Sequence, residues 1–171
     1  RIITKSEGNV LYEIDGIPAL DLYKKYLGEY ASELPNSGLR YPLNIKENDD
    51  SNEVIRTLLA INEENKSITF AGDVPVGYKA RLMKSNINEL IDGAGKAAES
   101  IEKINDKTAL GLIVSCVGRK IVMNQLIDEE LEIIQDILGD SVQLIGFYSY
   151  GEIAPFKDNL FNCELHNQTM T

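Results

Sequence analysis

An α+β domain, with a mixed and largely antiparallel sheet and about three packed helices, is the fold class that three features of this sequence predict. Short strand-length runs punctuated by Gly, Asn and Pro occupy most of the chain up to Met83. Two later stretches carry apolar residues at helical spacing. One of these lies between two nearly continuous apolar runs, an order that makes a βαβ unit near the C-terminus.

A chain of 171 residues is expected to form one domain, spanning 1–171, and a chain of that size buries roughly 70% of the surface its unfolded form exposes. Its 43% hydrophobic and 26% charged residues are ordinary for a soluble protein, and no apolar run approaches the ~20 residues that span a bilayer. With 27 acidic and 17 basic side chains the net charge is -10, which repels nucleic acid and anionic membrane and sets both aside as partners. Cys116 and Cys163 are too few for a disulfide framework, so a reducing cytoplasm is the expected compartment. The chain opens on Arg1 without Met and stops at Thr171 within a strand-like run, which reads as a fragment of a longer protein. A site shared with a missing neighbour would then be incomplete.

The elements follow in order. "IITKSEGNVLYEID" reads as two strands joined around Glu7-Gly8-Asn9, and "IPALDLYKKYLGE" as a helix with Pro18 in its first turn and Gly28 stopping it. Residues 31–52 read mostly as loop, broken by a short strand at "YPLNI". "EVIRTLLAIN", "KSITFAG" and "VGYKARLM" predict three strands in an antiparallel meander. "NINELIDGAGKAAESIEKIN" puts Ile87, Leu90, Ile91, Ala94, Ala97, Ala98, Ile101 and Ile104 on one helical stripe, with Gly93 and Gly95 allowing close packing on the sheet.

The last third carries the chemistry. "ALGLIVSCVG" reads as a central strand, "NQLIDEELEIIQDILGD" as a helix ended by Gly139, and "VQLIGFYSY" as a second buried strand. The connection is long enough for a right-handed crossover, which would make the two strands parallel and bring Ser115, Cys116, Gly118 and Arg119 to the same sheet edge as Tyr148, Tyr150 and Glu152, where open α/β sheets bind ligands; antiparallel pairing would lose this convergence. On an extended "GFYSYGEIAPF", Tyr148, Tyr150 and Glu152 point to one side and Phe147, Ser149 and Gly151 to the other. In "LFNCELHNQTMT", Phe161, Cys163, Leu165, Asn167 and Thr169 share one face, while Asn162, Glu164, His166 and Gln168 share the other. A buried Asn167 either fastens a neighbouring loop or receives a ligand.

Catalytic and metal templates find no match. There is no Walker-type loop, G-x-S-x-G or HExxH, and the single histidine excludes a two-histidine metal centre. Cys163 and His166, three apart on a strand, face opposite sides and cannot readily grip one ion. A Cys116 or Cys163 nucleophile with His166 as base has no support in the spacing. "DEELE" and "NDDSN" read as a solvated helix face and a loop. Neither a catalytic nor a metal site is expected.

"GFYSYGEIAPF" followed by "CELHNQTM", preceded by "ALGLIVSCVGRK" and by "YEIDGIPALDLYKKYLG", resembles the C-terminal portion of the FIST sensory domain over nearly the whole chain. The resemblance implies a non-enzymatic intracellular input module, placed ahead of a signalling output domain such as a histidine kinase, diguanylate cyclase or methyl-accepting domain. It further implies an N-terminal FIST half as partner, absent from this chain, and a small ligand of amino-acid type. Carried onto this sequence it marks Tyr150, Gly151 and Glu152 in one motif and His166, Asn167 and Thr169 in the other. Together with Arg119 and Tyr148 these, Gly151 aside, form the expected ligand-binding set: Glu152 for an ammonium, Arg119 for a carboxylate, the tyrosines as lining. The alternative in which the motifs only lock the strand and its loop stays open. So do haem-based nitric oxide sensing, for which His166 is the one imidazole, and a ligand-free packing or homodimerisation module.

Overall fold

A computed structural model describes residues 1–101, 109–156 and 159–171, the side chains of 159–162 aside. The fold is α+β, with one parallel strand pair among antiparallel ones. Strands β1 (Ile3–Glu7) and β2 (Val10–Ile14) form the expected hairpin, turning on Gly8 at φ 55°. The two-residue β3 (Ile17–Pro18) leads into helix α1 (Ala19–Leu27). Pro18 can precede the first turn because an N–H there would lack a helical partner anyway, and Gly28 ends the helix at φ 59°. Ala19, Leu20, Tyr23 and Leu27 recur at helical spacing and are buried.

Two 3₁₀ segments (Gly28–Glu33, Asn36–Arg40) lead to β4 (Leu43–Lys46), the short strand expected near "YPLNI". "EVIRTLLAIN" is not one strand of a meander. It divides at Thr57 into β5 (Val54–Arg56), paired with β4, and β6 (Leu58–Asn62), paired with β7 (Ser67–Phe70). The backbone of Thr57 turns outward to other partners: its N–H donates to Asn167 Oδ1 (3.1 Å) and its carbonyl accepts from Ala71 (2.9 Å). After the turn at Gly77, β8 (Lys79–Leu82) pairs with β4 rather than with β7. Two sheets result, β1-β2-β7-β6 and β5-β4-β8, and with α1 they enclose the larger core of Ile3, Leu11, Leu20, Leu43, Ile45, Leu58, Ile68 and Phe70.

The second core is smaller. Helix α2 (Ile87–Glu99), capped by the Asn86 side chain, packs on α4 (Ile127–Leu138), burying Ala94, Ala98 and Ile134 with Ile113. Ile104 of the expected stripe lies outside the described residues. A Cβ on Gly95 would sit 2.9 Å from Ile133 Cδ1, so this glycine admits α4 rather than the sheet, against expectation. Strand β9 (Ala109–Cys116) pairs in parallel with β10 (Val142–Ser149), which establishes the βαβ unit; between them a short helix α3 (Val117–Met123), which the sequence patterning missed, precedes α4. On its other edge β9 exchanges bonds with Thr169 and Thr171, so it is central as expected. Its burial is one-sided, however. Helices cover Ile113 and Ser115, whereas Leu110, Leu112, Ile145 and Phe147 are more than half exposed on the opposite face. The chain closes with the antiparallel hairpin of β11 (Glu152–Phe156) and β12 (Asn159–His166), whose Phe156 packs on the larger core. No helix among the described residues is long and apolar enough to cross a membrane.

Candidate functional site

Parallel pairing sets Tyr148 beside Ser115 and Ser149 beside Cys116, so the expected meeting of the two strand ends occurs. What each side chain does there was only partly foreseen. "GFYSYGEIAPF" is a corner, not one extended strand, because β10 stops at Ser149 and β11 starts at Glu152. Gly151 lies at the corner and lets the end of β12 approach closely: a Cβ there would come within 3.0 Å of Leu165 Cδ1 and 3.3 Å of Asn167 Nδ2. The alternation is therefore broken, and Tyr150 projects with 84% of its surface exposed while Glu152 retains 3%. Glu152 accepts hydrogen bonds from the Ser149 hydroxyl and from Thr169 Oγ1 (2.6 Å for the latter). Tyr148 lies half-exposed beneath the Lys120 ammonium, 4.7 Å from its ring centroid. Burial, reinforced by the negative charges of Glu130 and Asp128, raises the Tyr148 phenol above its ordinary value.

The described side chains of β12 do not divide into the two expected faces, since Glu164 is exposed together with its neighbours on the opposite side. Cys163 and Leu165 are exposed and His166 is buried, its Nε2 3.2 Å from the Ala154 carbonyl and its ring edge-on to Phe156 at 5.0 Å. Asn167 is nevertheless fully buried, because the strand ends at His166 and the following bend, with Gln168 at φ 58°, turns two successive side chains inward. Asn167 fastens the break between β5 and β6 through Thr57, and its amide donates to the His166 carbonyl (3.1 Å) and the Ala71 carbonyl (3.4 Å). Arg56, buried and kept charged at a desolvation cost, holds the Leu165 carbonyl (2.9 Å) and the Asp73 carbonyl (2.7 Å).

Arg119 is the best-connected charge in the second core. Its guanidinium meets Glu130 of α4 (Nε to Oε2 2.8 Å), the Leu90 carbonyl of α2 (2.7 Å) and the Gln168 carbonyl (3.3 Å), while Ser115 Oγ donates to the other Glu130 oxygen (3.0 Å). Glu130 corrects the expectation that "DEELE" is all solvated face, being 1% exposed. The signal was in the spacing: it lies three after Ile127 and four before Ile134, on the helix's apolar stripe. The Cys116 thiol beside this network is pushed up chiefly by burial.

A cavity of about 350 Å3 opens where the two cores meet. Pro42, Ile55 and Met83 line it from the sheet side, Glu89, Leu90 and Gly93 from α2, and Arg119, Gln168, Thr169 and Met170 close it, with Lys84, Ser85 and Asn86 along the linker. Of the seven residues expected to bind ligand, Arg119 and Thr169 reach this cavity. Tyr148 lines a separate space of about 190 Å3 with Ser115 and Glu130. Gln168 and Ser85, which no sequence argument singled out, line the larger one and are hydrogen-bonded to each other (3.0 Å).

Fold and site define an α+β domain with a partly polar cavity between two cores. Comparison by sequence goes further: the family model for the FIST C domain matches residues 19–155, and the chain belongs to that family of sensory domains in signal transduction. The match ends before "LHNQT", so that motif lies outside it. The chain is also 29% identical over 192 aligned residues to an uncharacterized protein of Methanocaldococcus jannaschii, covering 92% of this chain and 36% of that one. It thus spans about a third of the relative's length. No solved structure matches.

Proposed function

We propose that this domain is a non-enzymatic input module that takes a small amino-acid-like ligand in the cavity between α2 and the Asn167–Met170 segment, and that its occupancy governs an attached or partner output domain in a cytoplasmic signalling protein. The observation that carries this is the cavity's composition. Lys84 and the first turn of α2 favour a carboxylate, Glu89 at the rim suits an ammonium, and Pro42, Ile55, Met83 and Leu90 supply an apolar wall, while Arg119, its donors already taken by Glu130 and the Leu90 and Gln168 carbonyls, closes the back of the cavity. Glu152, first assigned to the ammonium, stands behind Thr169 and supports it. An N-terminal FIST half and a second copy of the chain are the expected macromolecular neighbours.

The test is a thermal-shift screen of the chain against free amino acids and small carboxylates. A ligand at a hundred times its dissociation constant adds about 2.7 kcal/mol of stability. Gly93→Leu should abolish the shift by filling the cavity. A Cβ at Gly93 has its nearest neighbour, Arg119 Nη1, at 3.9 Å, so the variant has room to fold. If no compound moves the midpoint of the intact chain, the domain is a packing module and the ligand hypothesis fails.

A further inference from the structure

We infer that Gln168 is the coupling residue of this cavity, the side chain through which filling it is felt by both cores. The inference takes its biological meaning from the ligand reading above, although its test does not depend on a ligand. Three successive residues divide their bonds between the cores. Asn167 is tied to Thr57 and Ala71 on the larger core. Thr169 is tied to the smaller one, its hydroxyl on Glu152 and its carbonyl accepting from Cys116 (3.0 Å).

Gln168, between them, holds both at once. Its Nε2 donates to the Leu39 carbonyl at 2.7 Å and its Oε1 accepts from Ser85 Oγ at 3.0 Å, both on the larger-core side. Its own carbonyl accepts from Arg119 at 3.3 Å, and Arg119 in turn holds α2 through Leu90 and α4 through Glu130. The residue is 9% exposed and sits at φ 58°, a region that non-glycine residues occupy when their surroundings hold them there. The cavity has the same division, with Pro42, Ile55 and Met83 on one wall and Leu90, Gly93 and Arg119 on the other. An occupant that alters the separation of these walls alters the span between Ser85 and Arg119, which Gln168 bridges. Two sites coupled through one set of contacts in this way share a free energy, and cutting the contacts removes it.

The experiment is a double-mutant cycle read by native-state hydrogen exchange on the whole chain. Gly93→Leu serves as a built-in occupant. Gln168→Gly keeps the positive φ and the carbonyl to Arg119 but deletes the bonds to Leu39 and Ser85. With Gln168 present, Gly93→Leu should change exchange about fivefold or more both in residues 113–116 of β9 and in residues 43–46 of β4, the low end of ordinary coupling. With Gln168→Gly, residues 113–116 should still respond fully, and residues 43–46 should keep only the smaller response that passes directly through the Pro42 and Ile55 wall. Ser85→Ala, which cuts one of the two bonds, should give an intermediate response and serves if the glycine variant is poorly folded. The inference is overturned if β4 responds equally in both backgrounds, or in neither. Because no ligand is added, a negative thermal-shift screen and a negative cycle are separate results.

Discussion

Arg119 Nη2 lies 2.7 Å from Glu130 Oε2, and the two side chains are 4% and 2% exposed. A pair this deep has given up its hydration, so its worth rests on the other bonds around it: Ser115, Leu90 and Gln168 occupy the remaining directions. Removing one partner strands the other charge. Glu130→Ala should therefore destabilise the domain by about 3–5 kcal/mol, whereas replacing both residues by Met should cost far less. Chemical denaturation of the single and double variants checks this. A Glu130→Ala loss below about 1 kcal/mol would show that the pair is hydrated.

Asn167 should behave as a clasp in stability measurements. Alanine there leaves the Thr57 N–H without its acceptor in a fully buried place, a loss of about 1–3 kcal/mol. Asn167→Asp keeps the acceptor but loses both donated bonds and buries a charge, so it should not rescue. Equilibrium unfolding decides; a variant as stable as the parent would sink the fastening role.

The two faces of β9 predict opposite tolerances. Leu112, 63% exposed, should accept serine within about 0.5 kcal/mol. Its neighbour Ile113, 9% exposed and packed in the smaller core, should lose about 2–4 kcal/mol as alanine. Paired denaturation curves test this, and equal losses would mean that the outer face is covered in solution.

Acid should weaken the larger core's rim. The hydrogen bond from Asn44 (2.6 Å), followed by the charges of Arg81 and Lys46, holds the Glu53 carboxyl below its ordinary 4.5, and Lys79 does the same for Asp49. A carboxyl depressed in the folded state stabilises it above the unfolded value, and that contribution disappears as pH falls through the folded one. The melting midpoint should thus drop progressively as pH falls from about 5. Glu53→Gln should flatten that limb in a pH series of melting curves, and an unchanged slope would remove Glu53 from the account.

Much of this protein is local and was therefore legible. Gly8 and Gly28 at positive φ mark a turn and a helix end, and the stripe from Ile87 through Ala98 builds α2. The apolar run of β9 and the crossover to β10 follow from order and length, and with them the meeting of Ser115 and Tyr148. "YGEIAP" and "LHNQT" pointed to the family and to a region. They did not say which atoms face a cavity, because period-two alternation holds only while a strand continues, and both motifs sit where strands stop. The corner at Gly151 exposes Tyr150 and buries Glu152; the bend after His166 buries Asn167 and Gln168 together. Partnership across long separations decided the rest. Glu130 is buried because Arg119 and Ser115 meet it, and "EVIRTLLAIN" divides at Thr57, whose N–H goes to a residue 110 positions away. Neighbouring residues were enough to set most of the helical and strand segments, α3 and the break at Thr57 excepted, because periodicity and turn residues act locally. Which polar groups pair off and which line the space between the cores was set by tertiary contacts, because burial depends on what folds over a residue.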